Sequence, residues 1–179
     1  MIVRLPPSPT GFLHIGNARI AIINWLFAKK NNGKIILRFD DTDLERSTAE
    51  FKNQMKVDLQ SLGLDFAEEF SQSERLEIYN SAFTKLLEAG FIYPCFETEE
   101  ELELKRKIKL SKGLPPIYER VEFTEEQKKN KPYYRFKLTA KNVTWKDLIQ
   151  GEISYEGKDL SDPVILRANG NFMYTFCSV

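Results

Sequence analysis

Residues 7–17 read Pro-Ser-Pro-Thr-Gly-Phe-Leu-His-Ile-Gly-Asn and hold the chain's single histidine, His14. Thr10, Gly11 and Gly16 lie close to it in sequence. Glycines let a backbone come close to an anion, and a helix start offers N–H groups at the positive end of its dipole. An imidazole set there can touch a phosphate oxygen. The chemistry suited to this spacing is phosphate binding, with His14, Thr10, Gly11 and Gly16 as its candidates. The plainer alternative for His14 is a surface or capping histidine.

The elements that must position this loop can be read on either side of it. Ile2–Leu5 predicts a buried strand. Ile15–Lys30 predicts a helix, apolar nearly all round and therefore buried, with Lys29 and Lys30 suited to its C-terminal end and Asn32-Gly33 closing it. Lys34–Phe39 returns as a strand. Strand, helix and strand in this order predict a βαβ unit with a parallel sheet. Ser47-Thr-Ala-Glu50 reads as a capping box opening a helix to Leu62, with Gly63 after it. A further helix is expected over about Glu74–Ala89, stopped by Gly90, then a strand over Phe91–Phe96.

The texture then changes. Thr98-Glu-Glu-Glu101 reads as a second capping box, opening a helix with acids early and bases late, including the i,i+4 pairs Glu101–Lys105 and Glu103–Lys107. Pro115-Pro116 ends it. Four short strands are expected beyond the Lys128, Lys129, Lys131 patch: Tyr133–Leu138, Val143–Trp145, Glu152–Tyr155 and Val164–Arg167, with turns at Gly151, Gly157 and Gly170. The domain reading is 1–92 and 167–179 as parts of one α/β domain, with 93–166 as a mixed α+β insert.

The chain has 179 residues, enough for one such domain with its insert. With 26 basic and 26 acidic residues the formal charge is zero, so any contact with nucleic acid must be local. Cys95 and Cys177 form no CxxC pair, which points to a reducing compartment rather than a disulfide framework or zinc site. The start is neither a signal nor a transit peptide, and no apolar run reaches the roughly 20 residues of a membrane span. A soluble, cytoplasmic protein is expected. The apolar end Phe172–Val179, without cap or polar tail, suggests a fragment of a longer chain.

Arg4-Leu-Pro-Pro-Ser-Pro-Thr-Gly-Phe-Leu-His-Ile-Gly-Asn-Ala-Arg19 resembles the first signature of the glutamyl-tRNA synthetases, class I enzymes whose signature has the form His-Ile-Gly-His. The resemblance continues in order through Ile36–Asp43, Glu45-Arg-Ser47, Leu62–Asp65, Gln72–Arg75, Tyr93–Phe96, Asp147–Glu152 and Asp162–Tyr174. It implies a Rossmann-type catalytic domain interrupted by an acceptor-stem-binding insert. It also implies glutamate activation by ATP to glutamyl-adenylate, with magnesium accompanying the ATP, and transfer to the 3′ end of tRNA(Glu). The second signature histidine is here Asn17, which can donate a hydrogen bond or simply start the helix. The resemblance gives His14 and Asn17 to catalysis, and Thr10, Gly11, His14 and Gly16 to ATP. It gives Arg4, Ser8, Asp40, Tyr174 and Ser178 to glutamate, with Arg4 on the substrate carboxylate and Asp40, in place of the family's usual Glu, near the α-amino group. A structural ion pair for Arg4 and core packing for Tyr174 are the alternatives.

Two segments look like sites and are read otherwise. Lys109-Leu-Ser-Lys-Gly113 mimics the second class I signature, the lysine loop, but lies inside the insert and reads as a basic helix end. Many relatives hold zinc at Cys-x-Cys and a later cysteine pair. Here Cys95-Phe-Glu97 and Tyr118-Glu-Arg-Val leave too few thiolates for a four-ligand site, so no zinc is expected. The basic patches at 105–112 and 128–131 could touch tRNA phosphates or be solvated surface. The partners expected are tRNA(Glu), L-glutamate and ATP, with no membrane and a monomeric chain. Alternative readings are an enzyme that glutamylates a modified base of tRNA(Asp), and a non-catalytic RNA- or nucleotide-binding paralogue.

Overall fold

A computed structural model of the chain describes residues 1–43, 45–139 and 141–178. The chain forms two compact units, one from Met1 to Asn80 and the other from Ser81 on.

The first unit is a three-stranded parallel sheet with helices. β1 (Ile2–Leu5) pairs with β2 (Lys34–Phe39), and β2 pairs with β3 (Glu68–Ser71), in the order β1-β2-β3. α1 (Ile15–Lys30) makes the crossover from β1 to β2, as the βαβ reading requires. α2 (Ala49–Ser61) leads from β2 towards β3. Leu5, Ala21, Ala28, Ile35, Leu37 and Phe39 form the core, with Met55, Leu59 and Leu64 brought in by α2 and the turn after it. The Lys34–Phe39 run is buried at four successive positions from Leu37 to Asp40, as a parallel strand covered on both faces should be.

α1 is not buried all round. Its fully buried residues are small, Ala18, Ala21 and Ala28, and Ile22 and Trp25 pack partly buried against the core, while Ile15, Ile20, Ile23 and Leu26 are more than half exposed. Alanines let a helix lie close to a sheet, which leaves room at its margin for Ile22 and Trp25 but not for the exposed isoleucines. The α2 start also differs by one residue from the expected capping box. Thr48, not Ser47, is the N-cap and accepts from the Phe51 N–H at 3.2 Å, whereas the Ser47 hydroxyl is buried without a partner. β3 was not expected. Its sequence, Glu-Glu-Phe-Ser, has no apolar alternation, and its backbone pairing with β2 makes the strand.

The second unit is antiparallel. β4 (Ile92–Cys95), β5 (Tyr133–Phe136) and β8 (Val164–Leu166) form one sheet in the order β4-β5-β8. β6 (Asn142–Asp147) and β7 (Gly151–Glu156) form a separate hairpin, turning where Asp147 accepts from the N–H groups of Ile149 and Gln150. Gly151 has φ +81° there, a conformation that L side chains rarely adopt. α3 (Leu76–Glu88) follows a 3-10 turn over Gln72–Arg75, and the division between the units falls inside it. α4 (Glu99–Ser111) carries the expected capping box between Thr98 and Glu101. Glu103 and Lys107 pair at 3.8 Å, but Glu101 does not take Lys105. Its carboxylate serves the cap, and Lys105 turns to Glu97 at 3.0 Å. α5 (Tyr174–Cys177) is one short turn.

Candidate functional site

The site assembles at the C-terminal ends of the parallel strands, where open α/β sheets bind ligands. The loop after β1 and the loop after β2 run side by side. The Asp40 N–H donates to the Pro7 carbonyl at 2.9 Å and the Thr48 N–H to the Pro9 carbonyl at 3.3 Å. Pro9 is fully buried and anchors the first loop, leaving Ser8 and Thr10 exposed on either side of it. Arg4, also exposed, lies on β1 opposite Ile36 of β2.

His14 is the N-cap of α1. Its Nδ1 accepts from the Gly16 N–H at 3.1 Å, and its own carbonyl accepts the first helical bond, from Ala18, at 3.0 Å. Histidine is not among the usual N-caps, which are Asn, Asp, Ser and Thr. With Nδ1 accepting, a neutral imidazole carries its proton on Nε2. The ring is exposed, so it presents a donor to solvent beside the positive end of α1. Gly16 makes room for this. A Cβ on it would stand 3.0 Å from both Nδ1 and Cε1 of the His14 ring. Gly11 is different, because a Cβ there would meet nothing within 4 Å. The space beside it is open to a ligand. Asn17 follows in the first turn of α1 and is half-buried.

Asp40 ends β2 and is buried. Its two oxygens accept from Arg38 Nε at 2.6 Å and Arg38 Nη2 at 2.9 Å, a bidentate pair, and Gln72 Nε2 reaches Oδ1 at 3.4 Å. The carboxylate that the resemblance assigns to a substrate amine is thus taken up by the protein itself. A side chain one methylene shorter than Glu folds back onto its neighbour on the same face of the strand, two residues away. Asp41 next to it accepts from both the N–H and the hydroxyl of Ser73, at 2.9 and 2.7 Å. Arg38, Asp41, Gln72 and Ser73 were not expected from the sequence. The signal available was Leu37-Arg-Phe-Asp-Asp41, where a buried arginine needs a paired acid and Asp40, two residues on, shares its face of the strand.

Tyr174 and Ser178 belong to the other unit, at the first residue and the C-cap of α5. Tyr174 is 53% exposed, and its carbonyl accepts from the Ser178 N–H at 3.0 Å.

Over residues 1–179 the chain matches the family described as tRNA synthetases class I (E and Q), catalytic domain. The chain belongs to this family. It is 51% identical, over its whole length, to glutamate–tRNA ligase 1 of Rickettsia rickettsii and to glutamate–tRNA ligase 2 of Rickettsia canadensis, and covers 42% of each. A solved glutamate–tRNA ligase of Elizabethkingia meningosepticum, in complex with its amino acid, superposes with TM-score 0.83 at 29% identity. It is matched over 99% of this chain and 40% of its own. The chain therefore spans less than half the length of these class I relatives.

The class I synthetase chain has a second polar centre, in its antiparallel unit. The Glu97 side chain has no exposed surface and accepts from Lys105 Nζ at 3.0 Å, Tyr133 Oη at 2.9 Å and Tyr118 Oη at 3.2 Å. Burial pushes the Glu97 carboxyl up, but the donors Lys105 and Tyr133 outweigh it and hold it below its ordinary range. Burial raises the phenols of Tyr118 and Tyr133 and the thiol of Cys95, so all three stay protonated at neutral pH. Among the described residues no group of three or more His, Cys, Asp or Glu side chains could hold a metal. Around Cys95 the donors are phenols and one carboxylate already saturated by hydrogen bonds, which suits an ammonium rather than zinc. The decoy segment Lys109–Gly113 is the end of α4, where Lys109 donates to the Ile117 carbonyl and pairs with Glu119. In the 128–131 patch, Lys128 and Lys129 pair with Glu125 and Glu126.

Proposed function

We propose that the protein carrying this chain is a glutamate–tRNA ligase, and that residues 1–179 supply part of its catalytic portion, inactive alone. The observation that carries the reading is His14. It is held by Gly16 with its Nε2–H turned outward at a helix start, in a family member whose relatives at 51% identity are glutamate–tRNA ligases.

In the proposed reaction a carboxylate oxygen of glutamate attacks the α-phosphorus of ATP. The bond to the leaving oxygen breaks, pyrophosphate departs, and glutamyl-adenylate remains. A ribose hydroxyl at the 3′ end of tRNA(Glu) then attacks the activated carbonyl, and AMP leaves. Negative charge grows on the phosphates in the first step, so positioning and charge stabilisation do most of the work. His14 donates from Nε2 to a phosphate oxygen, and Asn17, three residues on in the first turn of α1, adds a donor. Magnesium bound with ATP supplies further positive charge. Thr10, Gly11 and Gly16 line the nucleotide's approach. Arg4 suits a carboxylate of the substrate, since a guanidinium fork matches its two oxygens. Ser8 is proposed for the same substrate, and the resemblance also gives Tyr174 and Ser178 to glutamate. Asp40, buried on Arg38, contributes by fixing charge and shape at the end of β2.

Residues 93–166 are proposed to be the insert that binds the acceptor stem, and the protein is proposed to work in the cytoplasm as a monomer. Zinc is given no part. The test is exchange between pyrophosphate and ATP by the full-length protein. Exchange that needs both glutamate and tRNA supports the reading; none with any tRNA(Glu) rejects it.

A further inference from the structure

A cavity of about 540 Å³ opens in the antiparallel unit, between α4 and the segment of residues 114–121 that doubles back along it. Its walls are apolar and wet. Ile108 of α4 is 44% exposed, Leu114 52% and Val121 41%. No residue of α4 is buried. A helix that carries apolar residues on its groove side and buries none of them has a face without a partner, and apolar patches rimmed by polar groups mark interaction sites. The rim here is cationic. Lys109 is met by Glu119 at 2.8 Å and Lys105 by Glu97 at 3.0 Å. Arg106 and Lys112 also line the cavity, both exposed, and neither pairs with a carboxylate among the described residues.

The chemistry of the groove selects among occupants. A nucleic-acid strand needs aromatic faces on which its bases stack. The aromatic ring in this lining is Tyr118, and the Arg135 guanidinium already covers it at 3.7 Å. A membrane takes an apolar face turned outward, whereas Ile108, Leu114 and Val121 line a hollow. A protein helix with acids beside an apolar stripe matches both features. Its apolar side chains fill the hollow, and its carboxylates meet the two unpaired cations. The spacing agrees. Arg106 and Lys112 are six residues apart, about 9 Å of helical rise. Two acids seven residues apart on an approaching helix, about 10.5 Å, reach both, with an apolar pair midway between them on the same face.

We infer that this groove docks an acidic amphipathic helix of a partner protein, its carboxylates on Arg106 and Lys112 and its apolar stripe on Ile108, Leu114 and Val121. The inference rests on the antiparallel unit alone and does not use the ligase reading.

The test is fluorescence polarisation of labelled peptides on the full-length protein. One peptide is two repeats of Glu-Ala-Ala-Leu-Leu-Ala-Ala. The second has the same composition in scrambled order, and the third has Lys in place of Glu. The first binds, and the other two bind at least about tenfold more weakly. Reversing the two exposed cations, R106E with K112E, weakens the Glu peptide by about tenfold or more and brings the Lys peptide up to a comparable affinity. Leu114→Asp, at an exposed wall position, weakens the Glu peptide by about tenfold. Both variants unfold at the same temperature as the parent, since the altered side chains are exposed. No binding of the Glu peptide at millimolar concentration, equal binding of the scrambled peptide, or binding that ignores both variants overturns the inference. So does a short single-stranded RNA or a phosphatidylglycerol vesicle that binds with the same dependence on Arg106 and Lys112 while the peptide does not. Failure of the ligase reading registers separately, in the exchange assay.

Discussion

Replacing Gly16 by alanine separates what the α1 start does for the fold from what it does for chemistry. The new Cβ would lie 3.0 Å from Nδ1 and Cε1 of His14, tighter than ordinary contact, so the ring must give by a few tenths of an ångström, which weakens or breaks the 3.1 Å bond from the Gly16 N–H. Losing an N-cap bond costs about 1 kcal/mol. Glycine inside a helix costs roughly 0.5–1 kcal/mol relative to alanine, so the same substitution returns nearly that amount. The two effects offset, and the melting temperature should move by no more than about 2 °C. The Nε2 donor, however, is no longer aimed. Removing one preorganised donor from a developing charge costs about a hundredfold in kcat. The assay is pyrophosphate exchange by the full-length protein, alongside thermal unfolding of the variant. Full activity in Gly16→Ala refutes the claim that Gly16 positions His14. A large loss of stability refutes the offset and leaves the activity result unexplained by positioning.

Other outcomes follow from the same geometry. Gly11→Ala, whose Cβ points into open space, should fold normally and raise KM for ATP by about tenfold, which steady-state kinetics would show; an unchanged KM removes Gly11 from the nucleotide's path. Arg38→Met leaves the Asp40 carboxylate buried and unpaired and should cost about 3–5 kcal/mol in urea unfolding; a cost under about 1 kcal/mol would mean that water reaches Asp40. Glu97 is held below its ordinary range, so its contribution to stability is present above the unfolded-state value and fades as pH falls through the folded one. Lys105→Met reverses this, because burial then dominates. Its deficit, about 1–2 kcal/mol at pH 7 since Lys105 is half exposed, should shrink at pH 5; an equal deficit at both pH values contradicts the pairing.

The parts of this fold that could be read from the chain are those with local causes. The βαβ order followed from an apolar run, a Gly-containing loop and a long helical pattern, and the α4 cap from Thr98 and Glu101 three residues apart. Gly63, Gly90 and Gly151 fell at positive φ where the elements turn or end. The failures have non-local causes. The face that α1 buries is set by how closely alanines let it approach the sheet, which composition does not reveal. β3 exists because β2 offers it a backbone edge, and Lys105 chose Glu97 over Glu101 because a cap had already claimed Glu101. At the site, His14 and its glycines were legible because loop chemistry is local. The Arg38–Asp40 pair was not, since a strand's charged residues reveal their burial only once neighbouring elements cover them.

The central claim is that His14 serves glutamate activation in a tRNA ligase. Its most direct test is glutamate-dependent exchange of pyrophosphate into ATP by the full-length protein with tRNA(Glu), compared with His14→Ala. The account predicts exchange that requires both glutamate and tRNA and falls by about a hundredfold or more in the variant, with folding intact. Exchange that persists undiminished in His14→Ala, or is absent with every tRNA(Glu) tried, contradicts it.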